Sequence, residues 1–311
     1  MMKDITYKIT VIIITYNQEK LIGRALDSIL IQKEWGLSEI IICDDCSTDN
    51  NWDVIQDYAR KYPDIIKPFR NEKNLGIFKN IESTWQKNIN GDLVLYVSGD
   101  DAIVDGLFVK LYDSIQEQQI DVSKGSFCIY SDQKVIFPNS KELILSNKLI
   151  AKGYDAVSLK IRGLLFSARG IFYSKELFSR FLPVKEIGIF TDGLIDIQVQ
   201  LYADKNYYFD FIGGIYYSGI GASSKIGKKE SLESYIKLFS EYEKILSLSP
   251  KDKKWLKFEI AKSKFRIQPS FKLFCLSVMY FMGSMDFRYG VNCKKYGLEF
   301  AYMAKQLFIR H

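Results

Sequence analysis

Histidine is almost missing from this chain of 311 residues; the only one is His311, the last residue. Most zinc sites draw on imidazole, and Ser-His-Asp and Cys-His mechanisms require it, so these chemistries are set aside. Cysteine is sparse and odd in number, with five scattered residues. Cys43 and Cys46 form one C-x-x-C without a second pair. That pattern reads as reduced structural thiols of a cytosolic protein rather than as a redox centre or half a zinc site. The longest apolar run, 273–283, is too short to span a bilayer. A strand pattern begins within a few residues of Met1, so no secretory signal is expected and the expected location is cytoplasmic. No G-x-G-x-x-G follows the first strand and no Walker lysine loop occurs, which argues against dinucleotide dehydrogenases and P-loop enzymes.

What the chain does have is an ample apolar complement, rich in Tyr (20) and Phe (21), enough to fill the core of one large domain or two smaller ones. Its net charge of +6 is unevenly placed. From residue 225 onward there are 18 Lys and Arg against 8 Asp and Glu, whereas the preceding part has 25 against 29. A basic C-terminal third suggests contact with an anionic surface, membrane lipid or nucleic acid. No nucleic-acid-binding module is visible, so nucleic acid is not an expected partner.

Lys8 to Thr15 is a β-branched run that reads as a central strand, followed by helical spacing from 18 to 33. A second strand over 38–43 runs into Asp44 and Asp45, and a helix is expected from about Asn50 to Lys61, with Ser47, Thr48 and Asp49 as natural caps. A short strand at 65–69 and a helix from about Gly76 to Lys87 follow. The apolar run 93–97 then stops abruptly at Ser98-Gly99-Asp100-Asp101. This alternation predicts a doubly wound, Rossmann-like, mostly parallel α/β sheet, with the ends of its strands gathered at one rim. Ligands of such sheets bind beyond the carboxyl ends of the strands. Two acids after a permissive glycine at that rim suit a hard cation carrying a phosphorylated ligand; read alone, they serve equally well as helix caps.

Taken in sequence, Ile12-Ile13-Ile14-Thr15-Tyr16-Asn17, Asp44-Asp45-Cys46-Ser47-Thr48-Asp49, Asn74-Leu75-Gly76 and Ser98-Gly99-Asp100-Asp101 resemble the successive motifs of family 2 glycosyltransferases. These are nucleotide-sugar enzymes of the GT-A fold. The resemblance spans roughly residues 8 to 225, with Cys46 where the family's second motif has Gly. It implies that Thr15, Tyr16, Asn17 and Glu19 line the base and ribose pocket. It also implies that Asp45 and Asp44 bond the nucleobase, and that Asn80 or Lys79 lies near that pocket. Asp100 would lie at the nucleotide and Asp101 would hold a divalent metal, Mn²⁺ or Mg²⁺, that bridges the diphosphate. Asp192 resembles the general base of the family's Glu-Asp motif, with Thr191 in place of the Glu; read alone it sits where a helix N-cap would, and Asp196 is the fallback base. The loop 216–224 resembles a family loop in which Ser218 replaces an Arg and Ile220 replaces a His that helps hold the metal or diphosphate. Lys225, Lys228 or Lys229 would then compensate.

In the second half, strands are expected at 126–130 and 134–137 around a turn, with a surface loop to Lys148. A further strand at 169–173 is followed by a helix from Lys175. Two short strands are expected over 206–217 through Gly213-Gly214. Helices near 229–247, 251–265, 269–284 and 292–309 end the chain. The stripe Phe271, Phe274, Cys275, Val278, Met279 and Met282 has basic neighbours, as an interfacial membrane helix or a subunit contact would. The expected organisation is a GT-A catalytic domain over 1–225, divided into a nucleotide-sugar-binding half (1–104) and an acceptor half (105–225), then a basic helical extension over 226–311. The resemblance implies inverting transfer of a sugar, from a UDP-sugar by family frequency, to a saccharide or lipid-linked acceptor in surface polysaccharide or O-antigen synthesis. The enzyme would work in the cytoplasm, peripherally on the inner face of the membrane, with a homo-oligomer as a further option. The alternative is a membrane-associated scaffold that binds nucleotide sugars without turnover.

Overall fold

The computed structural model describes residues 5–166, 169–220, 226–289 and 293–309. They fall into two compact units. The first takes in the described residues of 1–155, 165–183 and 195–224; the second takes in those of 156–164, 184–194 and 225–311. The second unit is thus wider than a C-terminal extension beginning at 226.

The first unit opens with β1 (Ile9–Thr15), α1 (Ile22–Leu30), β2 (Leu37–Asp44), α2 (Asn51–Lys61), β3 (Ile66–Arg70), α3 (Ile77–Trp85) and β4 (Leu93–Ser98). These four strands are parallel, in the order β3-β2-β1-β4. β1 and β2 are buried along nearly their whole length, which is why both read as unbroken β-branched runs rather than as alternating ones. α1 lays Ile22, Ala25, Leu26 and Ile29 into the core, each larger side chain worth roughly 2 kcal/mol of burial.

The chain continues through β5 (Ala102–Ile103), α4 (Leu107–Glu117), β6 (Phe127–Ile136), β7 (Glu142–Leu145), α5 (Ala156–Ile161), β8 (Phe172–Ser174), α6 (Lys175–Ser179), α7 (Thr191–Tyr202) and β9 (Lys205–Tyr217). The full sheet runs β3-β2-β1-β4-β8-β6-β9-β5, with β7 paired to β6. β8 runs antiparallel to β4, so the second half of the sheet is mixed. Three expectations change here. The strands expected at 126–130 and 134–137 are one ten-residue strand, because its polar centre finds partners: Ser131 Oγ donates to the Gly170 carbonyl, and Asp132 accepts from Asn147 N–H and the Tyr208 hydroxyl. The loop expected to reach Lys148 contains β7. Gly213 and Gly214 lie inside a single thirteen-residue strand, β9, rather than at a turn.

Away from the carboxyl edge, buried Glu39 joins four segments. It accepts from Thr10 Oγ1 at 2.7 Å, from Asn90 N–H at 2.7 Å and Asn90 Nδ2 at 3.1 Å, and it pairs with Lys67. Burial pushes its carboxyl up, but the bonds from Asn90, Lys67 and Thr10 outweigh that and hold it below its ordinary 4.5.

The second unit packs α8 (Lys228–Ile245), α9 (Pro250–Ile267), α10 (Phe271–Ser284) and α11 (Cys293–Ile309) with the segments 156–164 and 184–194. Ser249 caps α9, which has Pro250 in its first turn, and Ser270 caps α10. Trp255, Phe258 and Phe281 form its aromatic core with Tyr296 and Phe300 around them. Buried Asp252 ties α5 and the turn after it to α9. It accepts from Arg162 Nη2 at 2.8 Å and Nε at 3.0 Å, and from Ser158 Oγ and Ser249 Oγ, both at 2.7 Å. No helix among the described residues is long and apolar enough to cross a membrane.

A depressed carboxylate stabilises the fold above its unfolded pKa, and that contribution is lost as pH falls through the folded value. Glu39→Gln is therefore expected to cost about 1–2 kcal/mol at pH 7, with the gap to the wild type narrowing below pH 4.5. Urea titrations of both proteins at pH 7 and pH 4 check this; an equal gap at both pH values would remove Glu39 from the acid response.

Candidate active site

β1 is followed by strands on one side of it and β4 lies on the other, so the strand order reverses between them. The carboxyl ends of two such strands splay their following loops apart and leave a crevice. Register brings the ends level: Thr15 lies opposite Asp44, and Ile14 opposite Ser98. The Asp45 amide then bonds the Thr15 carbonyl, and the Gly99 amide bonds the Ile14 carbonyl. Gly99 has no room for a side chain; a Cβ there would stand 2.8 Å from Thr15 Oγ1 and 3.0 Å from Thr15 Cβ.

The first motif forms one side of the crevice. Thr15 is buried and its hydroxyl bonds Gln18 Oε1 at 2.7 Å, while Tyr16 is 42% exposed. Asn17 has a left-handed backbone (φ 52°); its amide donates to Ser47 Oγ and its Oδ1 accepts from Thr48 N–H. Glu19 accepts from Asn50 N–H and Nδ2 at the start of α2. Glu19 and Asp49, which accepts from the Asn51 amide, thus cap the helix whose caps were expected from Ser47, Thr48 and Asp49.

Asp44 and Asp45 differ in their engagement. Asp44 is fully buried and accepts from Ser47 N–H at 3.0 Å, from Ser47 Oγ and from Asn51 Nδ2 at 2.7 Å, with Arg70 Nε 3.5 Å away. It organises its own loop. Asp45 accepts from the Leu75 and Gly76 amides and from Asn71 Nδ2, each at 2.8 Å, and so anchors the Asn74-Leu75-Gly76 turn. A carboxylate has about four acceptor positions, so one remains for a ligand. Asn80 is buried beneath, donating to the Cys43 carbonyl and accepting from Asn71. Cys46 has a left-handed φ of 59°, which explains why glycine is usual at that place. Burial pushes the Cys43 thiol up to about 11, consistent with an inert thiol rather than a redox pair.

The Asp pair caps no helix. β5 follows it directly, and α4 starts later, after Gly106 in a left-handed conformation. Asp101 is wholly buried; its Oδ2 accepts from Arg169 Nε at 2.6 Å and its Oδ1 from the Tyr217 amide at 3.2 Å. Burial pushes its carboxyl up, Arg169 pulls it down, and the Asp100 charge raises it again. Arg169 also stacks on Tyr216, 4.4 Å from the ring centroid. Arg24 of α1 stacks on Tyr217 at 3.6 Å and donates to the Asp100 carbonyl. Among the described residues, no three His, Cys, Asp or Glu gather around a point that a metal could occupy.

Asp192 belongs to the second unit, in the first turn of α7 rather than at a cap. It is exposed and accepts from the Gly193 amide; the neighbouring Gly193 carbonyl accepts from the Tyr242 hydroxyl at 2.7 Å. Asp196 belongs to the first unit, beside Tyr130 and Tyr173. Lys228 and Lys229 begin α8, and Lys229 reaches Glu233 at 3.9 Å. Gly221 to Lys225 lie outside the described residues. Arg169, Arg24, Asn71 and Asn51 are participants that the sequence did not flag. The partners of Arg169 and Arg24 lie 68 and 76 residues away, whereas Asn51, a polar residue opening an apolar-faced helix and bonded to Asp44 seven residues before it, left a local trace.

A sheet with a parallel first half, polar loops at its switch point and paired carboxylates there is the GT-A class of fold. The family model for glycosyl transferase family 2 matches residues 10–180, more than half of the chain, and the chain belongs to that family. It is 26% identical over 244 residues to glycosyltransferase GlyA of Streptococcus pneumoniae, covering 75% of this chain and 34% of that protein. It is 33% identical over 121 residues to the poly(ribitol-phosphate) beta-glucosyltransferase of Bacillus spizizenii, covering 38% of this chain and 19% of the relative. The chain thus spans about a third or less of the length of these relatives. Among solved structures it is similar to S. aureus TarS 1-349 in complex with UDP-GlcNAc (TM-score 0.61, 19% identity, 91% of this chain and 82% of that one). It is also similar to the mannosyltransferase PcManGT from Pyrobaculum calidifontis in complex with GDP-Man and Mn²⁺ (TM-score 0.53, 14% identity, 96% and 85%). At these identities the structural likeness establishes the fold.

Asp45→Asn keeps the size of the side chain but leaves one acceptor oxygen for three donors. It is expected to lower stability by about 1–3 kcal/mol, through amides left unpaired at Leu75 or Gly76. Chemical denaturation of the two proteins checks this; an unchanged midpoint would mean that the Asn74–Gly76 turn holds without Asp45.

Proposed function

We propose that this chain transfers a sugar from a nucleoside diphosphate sugar to a hydroxyl of a saccharide or lipid-linked acceptor, with inversion at the anomeric carbon. The observation that carries the reading is the Asp100–Asp101 pair at the switch point, level with Thr15 and Asp45 and flanked by Arg169 and Arg24. Base and ribose would lie along Thr15 to Asn17 and Asp45, and the diphosphate beside the Asp pair.

In the proposed reaction the acceptor oxygen forms a bond to the anomeric carbon as the bond from that carbon to the diphosphate oxygen breaks. The electron pair leaves with the nucleoside diphosphate, and the acceptor's proton passes to the Asp192 carboxylate. Asp192 is the proposed base because it is an exposed carboxylate at the position the family motif assigns. The family implies a divalent cation. Asp100 and Asp101 supply hard oxygen donors, and one or two carboxylates completed by substrate phosphates are a usual Mg²⁺ or Mn²⁺ arrangement, so the residues fit. The chemistry such a cation supplies is neutralisation of charge on the departing diphosphate. A UDP-sugar is the favoured donor, supported by the UDP-GlcNAc complex of TarS; the GDP-Man complex of PcManGT keeps GDP-sugars in the test. The acceptor is proposed to belong to bacterial surface polysaccharide synthesis, with O-antigen as one such polymer; a polymeric acceptor is supported by the name of one relative, a poly(ribitol-phosphate) beta-glucosyltransferase.

Work on the inner face of the cytoplasmic membrane is proposed from α10. Its buried stripe is Ser277, Phe281 and Ser284, which leaves Phe271, Cys275, Met279 and Met282 exposed on the opposite side, next to Lys272. Apolar side chains with a cationic border suit an anionic lipid interface. The protein is expected to sediment with vesicles containing phosphatidylglycerol and not with phosphatidylcholine alone, and Phe271→Glu/Met282→Glu is expected to abolish this. Equal sedimentation with both vesicle types would contradict it.

For the reaction, nucleoside diphosphate release is measured from a panel of UDP-, GDP- and dTDP-sugars with saccharide acceptors. Asp192→Asn is expected to lower turnover by about 10²- to 10⁴-fold while the Kd for the nucleotide stays within about twofold. Nucleotide binding with no turnover of any donor by the wild type would instead favour a binding scaffold, and full activity of Asp192→Asn would move the base elsewhere.

A further inference from the structure

We propose that Arg169 is the residue that takes the donor's diphosphate, as a cation built into the chain, and that Asp101 restrains it when no donor is bound. This rests on the donor-site reading above and assigns a role to a residue outside the family's motifs.

The position of Arg169 is specified by backbone packing. Gly170 has φ 75° and lies against Gly213, and a Cβ on Gly170 would stand 2.6 Å from Gly213 Cα. A Cβ on Gly214 would stand 2.3 Å from Arg169 Cβ. Ser131 Oγ, at the centre of β6, holds the Gly170 carbonyl at 2.6 Å. Three glycines and a buried hydroxyl thus let the 169–170 segment lie directly on β9. That is the reason glycines interrupt an otherwise aromatic and β-branched strand.

The guanidinium is specified as well. Nε donates to Asp101 and the plane lies on Tyr216, so the side chain has little rotamer freedom left to lose when it binds. The side chain is 24% exposed, and Nη1 and Nη2 have no partner among the described residues. A rigid fork with free donors matches two phosphate oxygens, and such charge-assisted pairs are the strong ones. Charge points the same way. Two carboxylates alone would repel a diphosphate, whereas Arg169 and Arg24 bring the local balance to neutral before any further cation enters.

An Asp101 that only holds a metal and an Asp101 that also restrains Arg169 differ, once metal is removed, in whether the gain from Asp101→Asn depends on Arg169. The test is calorimetric titration of the full chain in EDTA with UDP and with uridine, or with GDP and guanosine or dTDP and thymidine if the wild type prefers those. The wild type is expected to bind the diphosphate more tightly than the nucleoside. Arg169→Gln is expected to lose about 10- to 100-fold in diphosphate affinity, as two charged hydrogen bonds imply, with nucleoside affinity within about twofold. Arg169→Lys is expected to fall between. Asp101→Asn is expected to bind the diphosphate more tightly than the wild type in EDTA, because the fork is released and a negative charge removed. Should Arg169→Gln fail to fold with Asp101 left unpaired, the double variant Arg169→Gln/Asp101→Asn is titrated instead, and it is expected to lose the gain of Asp101→Asn. Unchanged diphosphate affinity in Arg169→Gln or in the double variant relative to its parent overturns the proposal. So does equal affinity of the wild type for diphosphate and nucleoside, which leaves the donor-site reading standing. Binding of none of the six compounds by the wild type overturns both.

Discussion

Everything at the carboxyl edge depends on how closely the end of β4 approaches the end of β1. The Gly99 amide reaches the Ile14 carbonyl, and a Cβ at residue 99 would stand 2.3 Å from Gln18 Oε1 and 2.8 Å from Thr15 Oγ1. That contact sets Ser98 to Asp101 beside Thr15 to Asn17 at the point where the strand order reverses. A single added methyl group would push the two loops apart, and repacking costs of about 1–3 kcal/mol attend such insertions. The Asp pair, the Arg169 fork and the Tyr216-Tyr217 end of β9 all meet at this junction, so a carboxylate that would be costly to bury alone is buried with partners.

The polar groups around the junction divide into those engaged by the fold and those with capacity left. Asp44 and Asn80 are buried and bonded within the loops they hold together, whereas Glu19 holds the start of α2 through Oε2 and keeps acceptor capacity at Oε1. Asp45 anchors the Leu75–Gly76 turn and retains acceptor capacity, while Arg169 retains its terminal donors. The proposed ligand contacts fall on the second group. In the other unit, a buried Arg162–Asp252 pair performs the same kind of work, fixing α5 to α9.

The parallel strands and their polar ends were legible in the sequence. Strands buried on both faces must be continuous apolar runs, and a run that ends in Asp or Asn marks its own boundary. The family's motifs lie at those same boundaries. β6 and β9 were not legible as long strands, because their polar and glycine centres satisfy long-range needs. Ser131 and Asp132 are paired to residues 39 and 15 positions away, and Gly213-Gly214 makes room for Arg169-Gly170. Local pattern cannot distinguish such a centre from a turn. Arg169 was invisible for the same reason: its partner Asp101 is 68 residues distant. The tie of the 156–164 segment to α9 is likewise a buried ion pair spanning 90 residues.

The most direct measurement is hydrogen–deuterium exchange of the full chain with and without saturating UDP, run in parallel with GDP. Slower exchange in the peptides covering 15–17, 71–76 and 98–101, with α9 unchanged, is the result this account requires. Protection elsewhere with those three segments unaffected would contradict a nucleotide site at the β1–β4 junction.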